Sequence, residues 1–415
     1  FWIAQIVLVL LVAAFLRLET IDKRPLWFDE RVTYDLIDTD HIGHILRIGS
    51  KDNFAHPPFH HLLAYFATGI RDSVASFRMP SVVCGVLCIA GTLCLGSILF
   101  NRRVGMIAAF LMTVSIYHIN YSQDARPYML FLMLTVGQYL CFFTYLLYKR
   151  VSHLVLFVLF GVGALYTSHL ALVNQATLLV ISFTLFVMRK EARDSLWHMG
   201  WAYVVIGLLY WPQLSNFLTF VTGSDPTEVK HTLCLSPRFF HELFARWGSG
   251  MGWIAFVYDF LFIVGVWKTG RNRNLRLGLL AWFVGPFVPF AVIPFSKFFD
   301  IRFLMCVLPV FTLFVAAGLD LMASVIGSLA GRFKAGQRVI SLARHAVLVV
   351  ILTTISGVAA KGYLVFRQTE IRCSEFFRND RILTMDDGFC EKHIILHTFI
   401  ISHRFILSRS EPEQN

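Results

Sequence analysis

Hydrophobic residues in this chain occur in long blocks that are separated by short polar links. A helix rises about 1.5 Å per residue, so a block of about 20 apolar residues crosses the hydrocarbon core of a bilayer. The pattern predicts eleven transmembrane helices at residues 1–18, 76–99, 104–119, 127–148, 151–166, 169–188, 196–217, 251–267, 275–295, 302–325 and 346–366.

A twelfth apolar stretch, 59–70, is too short to span a bilayer comfortably. The distribution of basic residues indicates whether the stretch 59–70 crosses the membrane. If 59–70 does not cross and the amino terminus is inside, the inner loops hold 14 Lys and Arg residues, whereas the short outer links hold 6. If 59–70 crossed, this bias would invert, against the positive-inside rule. We therefore predict eleven spans with a cytoplasmic amino terminus.

The longest polar link is the first outer loop, 19–75, within a predicted transmembrane domain over 1–366. We expect two amphipathic helices within 31–70, lying on the membrane surface with apolar faces toward the membrane and with histidines and acids away from it. Residues 367–415 form a short, mixed tail that is predicted to lie outside. The first block lacks a small-residue cleavage site, which favours a retained anchor over a signal peptide.

Composition excludes a soluble domain, because 56% of the residues are hydrophobic and the mean hydropathy is +0.63. The net charge of +11 comes from basic clusters at the ends of apolar blocks, where such residues orient helices. Zinc-finger and dinucleotide-binding patterns are absent from the sequence. The chain is thus predicted to be an all-α polytopic membrane protein that does not bind nucleic acid.

The predicted topology brings most chemically active residues to the outer membrane face. An acidic pair follows the first span directly, and carboxylates beside hydrocarbon are costly unless they have a function. The residues that share this face are Asp29, Glu30, His56, Arg78, Asp124, Arg126, His169, Lys297 and Arg302. A face that carries both carboxylates and cations suits an active site at the membrane surface.

The residue types suggest roles for this set. One acid of the pair Asp29-Glu30 is suited to act as a general base while the other orients an acceptor, although a solvated loop pair is the alternative. Arginine binds phosphate through two parallel hydrogen bonds, although arginines at helix ends also extend to the interface without a ligand. Pro127 predicts a helix start, and Asp124 and Arg126 flank it as an ion pair or as a charged cap.

Other polar positions are read more simply. His169 opens a span after Thr167 and Ser168 and suits a polar cap better than a ligand. Asp259 lies well inside a predicted span, and we expect it to be a structural hydrogen-bonding acid. Cys373 and Cys390 lie in the tail, and whether they pair is left open.

The order of motifs resembles the membrane-embedded GT-C glycosyltransferases, specifically the protein O-mannosyltransferase and lipid A aminoarabinose transferase superfamily. The resemblance covers most of residues 1–310 and depends on the order and spacing of the motifs. These are Trp27-Phe28-Asp29-Glu30, His56-Pro57-Pro58-Phe59, Phe77-Arg78-Met79-Pro80, Gln123-Asp124-Ala125-Arg126-Pro127-Tyr128 and Asp300-Ile301-Arg302-Phe303-Leu304.

The resemblance implies a transferase that takes a sugar from a polyprenyl-phosphate carrier. It implies that Asp29 is the catalytic acid with Glu30 as its companion, and that Arg78 and Arg126 lie near the donor phosphate. Arg302 lies where members of the family often have the sequence Arg-Tyr, and here Phe303 stands in place of the tyrosine. The His-Pro-Pro block resembles the mannosyltransferase form more than the lysine-bearing aminoarabinose form.

We therefore predict an inverting glycosyltransferase of a cell-envelope membrane, the plasma or inner membrane, that transfers a sugar to a hydroxyl acceptor at the extracytoplasmic face. The expected partners are a lipid-linked sugar, a glycan, lipid or protein acceptor, and membrane lipids. A polar-lipid transporter and a non-catalytic sugar-lipid-binding protein are the alternatives. The predicted site residues are Asp29 and Glu30 (catalytic), Arg78, Arg126, Lys297 and Arg302 (donor phosphate), and His56, Asp124, Tyr128 and His169 (acceptor or supporting).

No dedicated set of metal ligands is apparent in the sequence. Asp29, Glu30 and Asp124 are the acids that would hold a divalent cation if one assists the reaction. No cofactor is predicted beyond the lipid-linked donor itself.

Overall fold

A computed structural model shows that the chain is helical throughout the part it describes. The described residues are 2–39, 41–47, 56–188, 193–222, 232–248, 252–270, 273–293, 300–332, 345–346 and 348–361. The helices are α1 Trp2–Leu18, α2 Phe28–Ile37, α3 Ile42–Arg47, α4 Phe59–Ile70, α5 Val74–Leu99, α6 Arg102–Val114, α7 Ile116–Ser122, α8 Tyr128–Tyr148, α9 Val151–Leu165, α10 Ala171–Met188, α11 Arg193–Tyr210, α12 Leu214–Thr222, α13 Pro237–Gly248, α14 Gly252–Thr269, α15 Arg273–Val284, α16 Val288–Val292, α17 Leu308–Arg332 and α18 Leu348–Lys361. Short 3₁₀ segments occupy Trp211–Gln213, Gly285–Phe287 and Ile301–Val307. Lys297, Cys373, Cys390 and the predicted tail lie outside the described residues.

Several helices have the length and composition of membrane spans. Five described segments pass that test, namely Val74–Leu99, Tyr128–Tyr148, Ala171–Met188, Leu275–Val292 and Ile301–Leu329, and α6 with α7 makes a sixth if the bent pair is one span. The helices α1, α9 and α18 are shorter apolar helices. The polytopic helical class is therefore confirmed, whereas the number of eleven spans stays a prediction.

The span expected over 104–119 is broken. The helix α6 ends at Val114, and α7 continues at an angle of 65°. At the break, the Ser115 side chain accepts a hydrogen bond from the His118 amide and donates one of 2.7 Å to the Trp247 carbonyl. A serine side chain that competes for backbone hydrogen bonds in this way favours a helix end over a continuous helix.

Close packing of α14 and α17 forms the centre of the bundle. A Cβ atom added at Gly265 would lie 1.9 Å from the Phe314 carbonyl oxygen, and one added at Gly318 would lie 2.0 Å from the Leu261 oxygen. Only glycine allows two backbones to approach so closely, as small residues do at helix contacts within membranes.

Three helices, rather than the two expected, occupy the described part of the first outer loop. The helix α2 starts at Phe28, so the acidic pair lies in its first turn and not on an irregular loop. The expected orientation of the histidines is also wrong: His60 and His61 on α4 are buried, whereas Phe66 and Ile70 are exposed. Polar side chains turn inward here because they border the interior site described below.

Candidate active site

The two acids of the first turn of α2 have different environments. The Glu30 carboxylate is fully buried, whereas the Asp29 side chain is 24% exposed. Acidic side chains are favoured at a helix amino terminus, where the backbone N–H groups are unpaired. Because adjacent helical residues point in different directions, Glu30 faces the protein interior while Asp29 stays partly exposed.

Glu30 is held by Arg78 from α5. Arg78 donates from Nε to Oε1 at 2.8 Å and from Nη2 to Oε2 at 2.6 Å, and neither side chain is exposed. Its remaining N–H groups donate to the carbonyls of Ile21, Arg24 and Pro25. All five donors of the guanidinium therefore have protein acceptors.

This arrangement changes the expected role of Arg78. With every N–H engaged and no exposure, Arg78 has no donor to offer to a phosphate. The same carboxylate of Glu30 accepts a 2.8 Å hydrogen bond from the Ala125 amide. The Glu30–Arg78 pair thus joins the loop before α2, the start of α5 and the segment before α8, which positions the acids and cations around it.

Asp29 lies between two arginines. Its Oδ2 atom is 3.0 Å from Arg302 Nη1 and 3.8 Å from Arg126 Nη2. Arg126 also donates to the Asp29 carbonyl at 3.1 Å and to the Thr33 hydroxyl at 2.8 Å. The structure thus brings together the predicted catalytic acid and two of the predicted phosphate-binding cations.

Both arginines retain an unused donor next to Asp29. The Nε atoms of Arg126 and Arg302 are buried without a hydrogen-bond partner. Arg302 Nε lies 3.4 Å from the Asp300 carboxylate, but not in hydrogen-bond geometry. A buried N–H without an acceptor is costly, so a ligand oxygen at this point would be favoured.

Aromatic rings enclose the Arg302 guanidinium. It lies 5.6 Å from the ring centre of Tyr128, 5.8 Å from Phe303 and 5.9 Å from Trp27. Such contacts stabilise a cation most where water is excluded. Asp300 fixes the start of this segment, because its carboxylate accepts from the Arg302 amide at 2.8 Å.

The sequence analysis did not single out Tyr117, Tyr121 or Arg246. Tyr117 and Tyr121 lie one turn apart on α7 with ring centres 4.8 Å apart, and Tyr121 also packs against Tyr128. The buried Tyr117 hydroxyl bonds to the Tyr121 side chain and lies within electrostatic reach of Arg246 and Arg302. The spacing of the two tyrosines just before the Gln-Asp-Ala-Arg motif was the available signal.

Asp124 forms a second, separate ion pair. Its carboxylate contacts Arg24, which also donates to the Gln123 carbonyl at 3.0 Å. Burial raises the pKa of Asp124 to about 6, and the neighbouring Glu30 carboxylate adds to this, although Arg24 and Arg78 oppose it.

The raised pKa predicts a pH effect on stability. The folded protein keeps the Asp124 proton up to about pH 6, whereas the unfolded chain loses it near pH 4, so this group destabilises the folded state as the pH rises through that interval. We expect the melting temperature of the wild type, minus that of Asp124→Asn, to fall between pH 4.5 and pH 7. The exposed acid Asp22 provides the control variant Asp22→Asn, for which this difference should stay flat. A flat difference for Asp124→Asn would contradict the assignment.

The predicted supporting histidines, His56 and His169, lie near each other, and His56 lies near Arg126. The ring of His56 lies 6.1 Å from that of Tyr128 in an edge contact, and burial holds the pKa of His56 well below its usual value. His169 Nδ1 lies 3.3 Å from the Tyr210 hydroxyl, and burial lowers the pKa of His169 to about 4. Asp259, expected to be structural, does have a partner, because its carboxylate lies 2.6 Å from His241 Nδ1.

The acids of the site do not fit a divalent cation. Among the described residues, no three His, Cys, Asp or Glu side chains form a metal-binding group. Each candidate acid is already paired with arginine: Asp29 with Arg302 and Arg126, Glu30 with Arg78, and Asp124 with Arg24. A metal ion would have to displace these cations, so no step is assigned to one.

Comparison with known proteins gives this arrangement a family context. A family model described as dolichyl-phosphate-mannose-protein mannosyltransferase matches residues 55–212. No curated protein matches the chain in sequence.

Solved structures share the fold. ArnT from Cupriavidus metallidurans in the apo state has a TM-score of 0.61 at 15% identity, over 88% of this chain and 75% of that chain. The same protein bound to undecaprenyl phosphate has a TM-score of 0.60 at 17% identity over the same shares. The archaeal oligosaccharyltransferase AglB from Archaeoglobus fulgidus, in complex with an inhibitory peptide and a dolichol-phosphate, has a TM-score of 0.61 at 14% identity. That alignment covers 87% of this chain but only 56% of the AglB chain.

These findings confirm the resemblance that the motifs predicted. The fold is shared with ArnT and AglB, and the match over residues 55–212 is to the dolichyl-phosphate-mannose-protein mannosyltransferase family.

Proposed function

We propose that this protein is an inverting glycosyltransferase that moves a sugar from a polyprenyl-phosphate carrier to a hydroxyl acceptor. The observation that carries the proposal is the position of the Asp29 carboxylate between Arg302 and Arg126, both of which keep a buried, unpartnered Nε donor. The reaction needs a base for the acceptor hydroxyl and cations for the carrier phosphate, and this group of residues supplies both.

The chemistry follows from these residues. The acceptor hydroxyl attacks the anomeric carbon, Asp29 accepts its proton, and the bond to the carrier phosphate breaks on the opposite side, which inverts the configuration. The carrier phosphate leaves as an anion, so its departure needs nearby cations rather than a general acid. Arg126 and Arg302 take that role, and Arg246 and Tyr117 lie within electrostatic reach of each other, with Arg302 also near Tyr117.

Glu30 and Arg78 have a different part in this proposal. Because each satisfies the other in a fully buried pair, they position the reacting groups and do not contact substrate. Lys297 lies outside the described residues and stays a predicted phosphate-binding residue. The proposed location is a plasma or inner membrane, with the site at its extracytoplasmic face.

The direct test is transfer by the purified full chain in lipid nanodiscs. The probes are undecaprenyl phosphates that carry mannose, glucose or galactose, with serine peptides, glycans and lipids as acceptors. Mass spectrometry should find a glycosylated acceptor together with released undecaprenyl phosphate. Movement of intact donor between leaflets would favour a transporter, and binding that leaves the donor intact would favour a non-catalytic protein. Either result would overturn the proposal.

The phosphate role of Arg302 has its own prediction. We expect Arg302→Leu to weaken binding of undecaprenyl phosphate roughly tenfold to a hundredfold, because a charge-assisted hydrogen bond to the phosphate is lost. Arg302→Lys should recover part of this, since lysine keeps the charge but not the planar fork. Binding is measured by calorimetry, with the exposed Arg238→Leu as the matched control. Equal binding by Arg302→Leu and wild type would exclude this residue from the phosphate site.

A further inference from the structure

His56, His60 and His61 lie within electrostatic reach of Arg126, and His169 from the α9–α10 connection lies near His56. His60 is 1% exposed and His61 is 3% exposed. The electrostatic neighbours of His56 include His60, His61 and His169 as well as Arg126. The cluster therefore adjoins the cation that contacts Asp29.

Several nitrogens in this cluster have no hydrogen-bond partner. These buried atoms are Nδ1 of His56 and both Nδ1 and Nε2 of His60, whereas His61 bonds to the Pro57 carbonyl. Buried polar atoms in native proteins are normally paired, and each unpaired one costs about 1–3 kcal/mol. Three such atoms in one place indicate an occupant that supplies both donors and acceptors.

The cluster is electrically neutral. Burial, with Arg126 as a further cause, holds the pKa values of His56 and His60 well below their usual value and that of His61 at about 4. A neutral imidazole has one donor and one acceptor, which is also what a hydroxyl group offers. A cationic group would be repelled by Arg126 and would find no negative charge among these rings.

We propose that His56, His60 and His61 form the subsite that hydrogen-bonds the hydroxyl groups of the transferred sugar. The sugar class that fits is a neutral, hydroxyl-bearing ring rather than a cationic amino sugar. This inference rests on the proposed function, because a carrier phosphate at Arg126 and Arg302 would place its sugar beside these rings. No residue of this subsite takes part in a bond-making step.

The test uses His60, the histidine with two unpaired nitrogens. The full chain in nanodiscs is titrated with bare undecaprenyl phosphate, with undecaprenyl-phosphate mannose, glucose and galactose, with monodeoxy analogues of the best of these, and with the 4-amino-4-deoxyarabinose carrier. We expect the wild type to bind a hexose donor more tightly than the bare carrier and to lose about tenfold or more for at least one deoxy analogue. In His60→Leu that loss should disappear, while binding of the bare carrier stays unchanged.

Controls separate recognition from structure. His60→Leu removes no hydrogen bond, so its melting temperature should not fall, and His60→Gln should restore part of the discrimination because an amide also donates and accepts. The exposed His198→Leu is the matched control and should behave as wild type.

Three results would overturn the subsite. These are no preference of the wild type for any hexose donor over the bare carrier, a preference for the amino sugar, or equal weakening of all ligands by His60→Leu. The last would mean that the cluster is structural or holds only water. Each of these leaves carrier binding intact and the proposed transferase standing, whereas a wild type that neither binds bare carrier nor transfers any sugar would overturn both proposals.

Discussion

Asp29→Asn should reduce glycosyl transfer by about 10²–10⁴-fold, the range that a general base contributes. The amide cannot accept the proton of the acceptor hydroxyl, although it keeps the size and shape of the side chain. Transfer rates are measured with the best synthetic donor under single-turnover conditions, so that chemistry is separated from product release.

The same substitution, Asp29→Asn, should not weaken binding of undecaprenyl phosphate. Asp29 puts a negative charge 3.0 Å from Arg302, and its removal leaves both arginines freer to hold an anion. Asp29→Asn should therefore bind undecaprenyl phosphate as tightly as the wild type or more tightly. Asp35→Asn, which changes an exposed acid on the same helix, serves as the control. Transfer near the wild-type rate by folded Asp29→Asn would remove the base assignment.

Glu30→Ala should be the most destabilising single change near the site. It leaves the Arg78 guanidinium buried without a counter-charge, and breaking a buried pair in this way costs about 3–5 kcal/mol. The folded fraction is measured by thermal or denaturant titration in detergent, together with the yield of monodisperse protein.

A double-mutant cycle separates the pair from its surroundings. Glu30→Leu combined with Arg78→Leu should be less destabilised than the sum of the single changes, because neither charge is then left alone. The exposed pair Arg238–Glu242 is the control, and its disruption should cost about 1 kcal/mol or less. A Glu30→Ala protein with unchanged stability would contradict the structural role assigned to this pair.

That Asp29, Arg126 and Arg302 lie together was predictable from local patterns, but the pairing of each charge was not. The motif around Asp29 and Glu30 located the acids, and the order of motifs placed Arg126 and Arg302 with them. Only the packed structure shows that Glu30 and Arg78 bind each other completely, because the burial of a side chain depends on which distant segments close over it.

The burial of the α4 histidines was also not predictable from the local pattern. Its apolar residues predicted a surface helix with histidines outward, yet His60 and His61 are buried and Phe66 is exposed. Amphipathic periodicity identifies two faces of a helix but not which of them meets lipid and which meets a polar interior. Likewise, the break at Ser115 depends on the Trp247 carbonyl, which lies far away in the chain.

The sequence alone determined the class of the protein, the outline of its helices and the carboxylate and arginines of its site, because hydropathy, loop charge and residue chemistry are local properties. Tertiary structure decided which charges are free to meet a substrate. It placed Asp29 between two arginines with unused donors, enclosed Glu30 with Arg78, and turned three histidines toward Arg126. Those outcomes depend on burial and on the pairing of charges across long sequence separations, which local patterns do not encode.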